Sequence, residues 1–363
     1  MTTGPTLWLS LASVLCALSV SAQLPPWRPA ANPDPLRAAS APFDAGQAAE
    51  VPDGRWAVWL ETSYANVWSG TWHTAAIQRE FGRARLPLAD DVLRTAEFRY
   101  PDEDFHRFDL EGWRADLWVT RGLPGGVSLS LRLPSFSYGS PHWDAIAEEW
   151  HARLGLPNAN RDLFPRGDAL LYMRGGGRTV LEERDVEASG FGDVALSASV
   201  PLGEWLGARH RAAAVVEAPT GEEGTVLGSG GWDAGVRWFA LWPGKRVDLV
   251  AGAGYTWLGD GSLLGVARTD PWHLLGGLDW RVWRSLTATL RVTFERSLFA
   301  GTSDGWAGEP VLYERFGLAG PIGRGAWLAF ELGQDSVYHG VAPDYSFHVM
   351  LGTSPLGALS GKR

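Results

Sequence analysis

Polar and apolar residues alternate strictly in Ser128-Leu129-Ser130-Leu131-Arg132-Leu133 and in Arg291-Val292-Thr293-Phe294, and the same period of two returns in twelve runs. The runs span 55–66, 107–120, 126–138, 189–202, 209–219, 230–242, 246–258, 270–283, 286–297, 308–319, 325–335 and 342–353. Alternation at about 180° per residue marks strands with two unlike faces. Runs of up to fourteen residues exceed the roughly five or six of an ordinary soluble strand. They suit the roughly nine to eleven that a tilted strand needs to cross a bilayer. Tight connections at 122–125, 203–208, 243–245, 284–285 and 321–324 alternate with longer ones at 67–106, 139–188, 220–229, 259–269, 298–307 and 336–341. This pattern predicts an all-β fold: a transmembrane antiparallel β-barrel of about 12 strands over residues 54–353, with both chain ends in the periplasm.

The two faces support this assignment. One carries Val127, Leu129, Leu131, Leu133, Val194, Leu196, Val200, Leu286, Leu290, Val292 and Phe294. The other carries Arg114, Asp116, Arg132, Asp193, Arg211, Glu217, Asp233, Arg237, Asp248, Asp279, Arg281, Arg291 and Glu295, which become candidate lumen charges. In a membrane barrel the apolar face points outward, because lipid is the outer solvent and closure satisfies the backbone. The chain holds 20 tryptophans. Trp205, Trp242, Trp283 and Trp327 flank tight turns, while Trp68, Trp72, Trp257, Trp272 and Trp306 flank long loops, as two interfacial belts require. A Trp-rich soluble β-sandwich is the competing fold, and it must explain strand length and loop asymmetry separately.

Residues 7–20 form an apolar run ending in Val20-Ser21-Ala22, which is read as a secretory signal peptide over 1–22. Cleavage there removes Cys16, the single cysteine, so no disulfide, thiol nucleophile or Cys-based metal site is expected. Seven prolines fall within 23–52, giving a leader over 23–53 that neither helix nor sheet accommodates. That leader is either a periplasmic tether or a plug entering the lumen. Residues 354–363 form a C-terminal tail. A net charge of −9 with scattered basic residues offers nucleic acid no footprint.

Trp143-Asp144-Ala145-Ile146-Ala147-Glu148-Glu149-Trp150-His151, then Leu154 to Asn158, Arg161, Asp162, Pro165 and Arg166, resemble an uncharacterised, domain-of-unknown-function family of Gram-negative outer-membrane β-barrel proteins. Phe191-Gly192-Asp193-Val194 and Leu227 to Asp233 extend the resemblance, which covers roughly 54–353. It implies fold and outer-membrane location, with lipid and lipopolysaccharide as surroundings, and no activity.

Within the longest loop, residues 144–154 place Trp143, Ile146, Ala147, Trp150 and Leu154 near one helical face, with Asp144 capping the start and Gly155 and Pro157 ending it. Two readings stand. The helix folds into the barrel mouth, with Trp143, Trp150, His151, Arg153, Asn158, Arg161, Asp162 and Arg166 as a constriction, or the loop packs on itself. Residues 169–173 and 179–181, joined across 175–177, read as an extracellular hairpin. Acidic residues gather in the long loops, at Asp90, Asp91, Asp102, Glu103, Asp104, Glu182, Glu183, Asp185 and Glu187, without a calcium-loop spacing; no metal and no cofactor is expected. Ser346 and His348 lie two apart, which separates them by roughly 7 Å along a strand and argues against a hydrolytic pair. The functional expectation is a narrow channel for small solutes and no enzyme. The alternative is a closed structural or surface-interaction barrel.

Overall fold

The computed structural model describes residues 33–34, 36–37, 41, 43–140, 142–155, 158, 160–283, 285–299, 307–322, 326–335 and 343–353. The signal peptide, the tail, the 336–341 loop and Trp306 lie outside the described residues. Twelve antiparallel strands close into a barrel: β1 (Trp56–Gly70), β2 (Phe105–Leu123), β3 (Val127–Gly139), β4 (Val194–Trp205), β5 (Ala208–Ala218), β6 (Asp233–Trp242), β7 (Val247–Trp257), β8 (Trp272–Trp283), β9 (Leu286–Glu295), β10 (Val311–Ile322), β11 (Ala326–Asp335) and β12 (Pro343–Thr353). The ring closes where β1 pairs with β12, from Trp59 opposite Gly352 to Val67 opposite Pro343. Each strand expected from the alternation is present, and closure leaves no free edge for the membrane to face.

Local chemistry sets the periplasmic turns. Gly125 and Gly126 both take positive φ between β2 and β3, a conformation that a side chain disfavours. Leu206 and Gly207, also at positive φ, form a two-residue turn below the Trp205–Ala208 pair, the geometry that a twisted hairpin selects.

The outward face is apolar across the membrane-spanning part: Leu131, Leu196, Val216, Leu249, Leu290, Phe316, Phe330 and Val349 are exposed. On β2 that face changes character going toward the extracellular end. Trp113 is half-exposed, whereas Glu111, Asp109 and Arg107, on the same side of the strand, are polar and buried. The change marks where lipid ends and protein begins to cover the wall. The cover is the 67–106 connection, expected as a loop, which instead holds helices α1 (Trp72–Glu80) and α2 (Asp90–Arg99). Asp90 and Asp91 in the first turn of α2 and Arg99 in its last complement the helix dipole. Ala75, Ile77, Val92, Leu93 and Ala96 from these helices pack with Trp68, Phe105, Phe164 and Tyr172.

The expected hairpin is present as Leu170–Gly175 and Arg178–Arg184, and its first strand pairs with Phe105 to Asp109 of β2. On the opposite, inward side of this extension, Phe108, Leu110, Phe136, Tyr138, Leu171, Met173, Val226, Leu227 and Phe299 form an apolar roof above the lumen.

Candidate functional site: the lumen and the leader within it

Alternation turns every second side chain of each strand inward, and there the charges neutralise one another. Arg114 lies 2.7 Å from Asp116, and Arg132 lies 2.9 Å from Asp116 and 3.5 Å from Glu217. Arg291 meets Asp279 at 2.9 Å. Arg315 joins Glu331 at 2.9 Å to Glu61 at 3.0 Å, and His348 Nδ1 sits 3.2 Å from the same Glu61 oxygen. Charge-assisted pairs of this kind are the form in which buried ions are tolerated.

Three residues here go beyond the sequence candidates, Glu61, Arg315 and Glu331, while His348 was considered there only beside Ser346. Their signal was in the sequence, since each lies on the inward parity of its strand.

Residues of the leader run among these side chains. Arg37 pairs with Glu295 at 2.8 Å and donates to the Arg296 carbonyl at 3.2 Å. Arg237 donates to the Ala41 carbonyl at 3.4 Å and to Thr256 Oγ1 at 2.8 Å. The Phe43 ring stacks on His273 at 5.0 Å and on Phe239 at 5.7 Å. Its slot exists because β7 presents Gly252 and Gly254 inward: a Cβ at Gly254 would sit 2.9 Å from the Phe43 ring. Asp44 accepts from the Gly46 N–H at 2.7 Å and caps the short 3-10 turn Ala45–Ala48. Ala49 and Val51 then pack on Trp59, Trp118 and Trp327 near the periplasmic end, while Leu36 joins the apolar roof at the other. The described leader residues therefore reach from one end of the lumen to the other.

Other sequence-derived candidates sit elsewhere. Asp193 accepts from the Gly221 and Ser229 N–H groups, and Asp233 accepts from Gly259 and pairs with Arg268 at 3.1 Å; both fasten extracellular loops. Arg211 donates to the Gly126 carbonyl and Ser199. Asp248 and Arg281 pair at 2.6 Å at the periplasmic rim, where Arg281 also holds the Gly244 and Lys245 carbonyls. Trp327 is fully buried under the leader and takes no part in a lipid-facing belt.

The loop constriction is likewise not where it was expected. Helix α3 (Asp144–Leu154) lies against the outer wall and not in the mouth. Trp143 packs on Tyr64 at 4.9 Å and Phe347 at 5.4 Å, two outward-facing rings. Asp144 is in the first turn and makes no cap; it pairs instead with Arg161 at 2.5 Å and accepts from Gly167. Arg161 continues to Asn66 at 3.0 Å and Asp344 at 2.7 Å, and His151 reaches Asn158 at 3.2 Å. Arg166 and Arg85 clamp Glu148 at 2.6 and 2.7 Å. Burial alone would raise the Glu148 pKa, but the two guanidiniums outweigh it and hold the carboxyl at about 2. Arg153 pairs with Glu149 on the exposed side, and Asp162 falls in the short turn Arg161–Leu163. An apolar helical stripe does not say which side of a wall it will cover; here the outer rings of β1 and β12 receive it.

Ser346 and His348 are also closer than their spacing suggested. Ser346 Oγ lies 3.0 Å from His348 Nε2, because side chains on one face of a strand can lean together. With Glu61 on His348 Nδ1, the sequence of contacts is that of a hydrolytic triad. Tyr313 OH, however, bonds Ser346 at 2.5 Å and His348 at 2.8 Å, and all three side chains are buried. Ser346, Tyr313 and His348 thus form one buried hydrogen-bonded cluster on the inward side of the wall. Among the described residues no cluster of His, Cys, Asp and Glu has the make-up of a metal site.

The geometry defines a class: an outer-membrane β-barrel of twelve antiparallel strands, with described residues of the leader inside its ring. No protein family and no curated protein matches the chain. Among solved structures it is similar to the COG4313 outer membrane channel from Pseudomonas putida F1, at TM-score 0.54 and 12% identity over 84% of this chain and 96% of that one. The NanC porin, at TM-score 0.40 and 11% identity over 67% of this chain and 93% of that one, is more distant. So is the KdgM porin in complex with oligogalacturonate, at 0.39 and 8% over 69% and 97%. The likeness to the first of these is one of fold.

Proposed function

We propose that this protein is a narrow outer-membrane channel for small solutes, with its own leader as the plug, and that it belongs to the uncharacterised barrel family its 143–166 segment resembles. The observation that carries the reading is Phe43 seated in the slot left by Gly252 and Gly254, between Phe239 and His273. Two inward glycines make room for an aromatic ring supplied by a segment that is not part of the wall. The solved structure with the shared fold is a channel, which is consistent with this function. No enzymatic role is proposed.

A second reading, a closed structural barrel, draws on the apolar roof that Leu36 joins, because a buried apolar cap obstructs a polar solute. Planar-bilayer recordings of the purified full-length protein separate the two. Discrete ion-selective steps, enlarged when residues 34–50 are deleted, support the channel. A silent bilayer with both forms of the protein overturns it and leaves the closed barrel.

A further inference from the structure

Between α3 and the outer wall lies a cavity of about 100 Å³. Ile146, Trp150, Phe316, Leu332 and Phe347 supply its apolar walls, and His151 and Asp344 are among its polar lining. We infer that this cavity is a binding site for one acyl chain of an outer-leaflet lipid.

Three observations support the assignment. The cavity opens on the surface that lipid already covers: Phe316, Phe330 and Val349, exposed on β10 to β12, continue the same apolar wall toward the membrane centre. The bilayer is therefore the source of the occupant. The helix is also held off the wall by fixed points. Trp143 wedges on Phe347 and Tyr64, Arg161 ties Asp144 to Asp344, and Arg85 with Arg166 clamps Glu148. With these anchors set, the helix cannot settle inward to fill the space, and Ile146 (55% exposed) and Trp150 (46%) retain bare apolar surface beside it. An unfilled gap forfeits dispersion contacts on both walls. Size is the third observation. An apolar cavity of about 150 Å³ holds benzene, so the space here takes roughly four carbons of an extended chain. The nearby charges pair internally, Arg153 with Glu149 and the two clamping arginines with Glu148, so recognition rests on the chain and not on a phosphate.

The test uses the full-length protein in detergent-free phosphatidylcholine vesicles carrying a photoactivatable diazirine on one acyl chain, followed by mass spectrometry of the labelled peptides. Labelling is expected to be severalfold higher on peptides covering 144–154 and 343–349 than on the equally lipid-exposed β4 and β5. Leu332→Trp, which fills the cavity, and Ala147→Leu, which narrows it from the helix side, should each abolish that excess while the barrel still shows heat-modifiable migration. Two variants guard against one failing to fold. Uniform labelling around the barrel, or an excess that survives both substitutions, overturns the proposal.

Discussion

Arg37 of the leader and Glu295 of β9 are joined by a 2.8 Å ion pair inside the barrel, with both side chains buried. The two residues lie 258 positions apart in sequence, and the contact exists only because the leader enters the ring that β9 helps to close. An isolated charge of either sign in this place would be costly, so leader and wall are electrostatically dependent on one another.

Arg37→Ala is expected to remove the 2.8 Å ion pair of Glu295 and leave it beside the His273 ring, 3.6 Å away, and the more distant charge of Arg237. The loosened leader should then raise single-channel open probability, and Phe43→Ala should act in the same direction by emptying the glycine slot. Recordings in which both variants match wild type would show that the leader does not control the pathway.

The lipid face yields a stability prediction. Leu290 sits midway along β9 and Leu286 at its periplasmic end, and both are outward and exposed. Leu290→Arg should cost about 2–4 kcal/mol near the bilayer midplane, and Leu286→Arg about 0–1 kcal/mol near the interface. Urea unfolding in vesicles, followed by tryptophan emission, measures both. Equal costs would mean that β9 is placed at the wrong depth.

Arg315 bridges Glu61 and Glu331 in the buried interior. Arg315→Met should destabilise the barrel by about 3–5 kcal/mol, because it strands two buried carboxylates. The triple variant with Glu61→Gln and Glu331→Gln should recover much of that loss. If the triple variant is no better than the single one, packing and not charge accounts for the effect.

Acidification should release α3. The Glu148 carboxyl is held at about 2 by Arg85 and Arg166, below the ordinary glutamate value of 4.5. A carboxylate with a depressed pKa stabilises fully above its unfolded value, and that contribution is lost as pH falls from about 4.5 to 2. Emission from Trp143 and Trp150, taken as the difference from Trp143→Phe/Trp150→Phe, should change within that window. In Glu148→Gln the change should be absent; a transition of the same size there would assign it to another group.

The sequence by itself determined the barrel, its twelve strands, the sense of its two faces and the side on which the tight turns lie. These follow from a period of two and from turn residues such as Gly125, Gly126 and Gly207, and such signals act within a few positions of the chain. Even Glu61, Arg315 and Glu331, which were not singled out, sat on the parity that sends them inward. Only the tertiary structure decided where the segments without that period would go. A proline-rich leader suits a tether or a plug equally well, and only the slot at Gly252 and Gly254 with the charge at Glu295 shows where Phe43 and Arg37 belong. The stripe of Trp143, Ala147 and Trp150 fits the inside of a mouth or the outside of a wall. Tyr64 and Phe347, nearly three hundred residues apart, come together beside Trp143 only once β1 has paired with β12 and closed the ring.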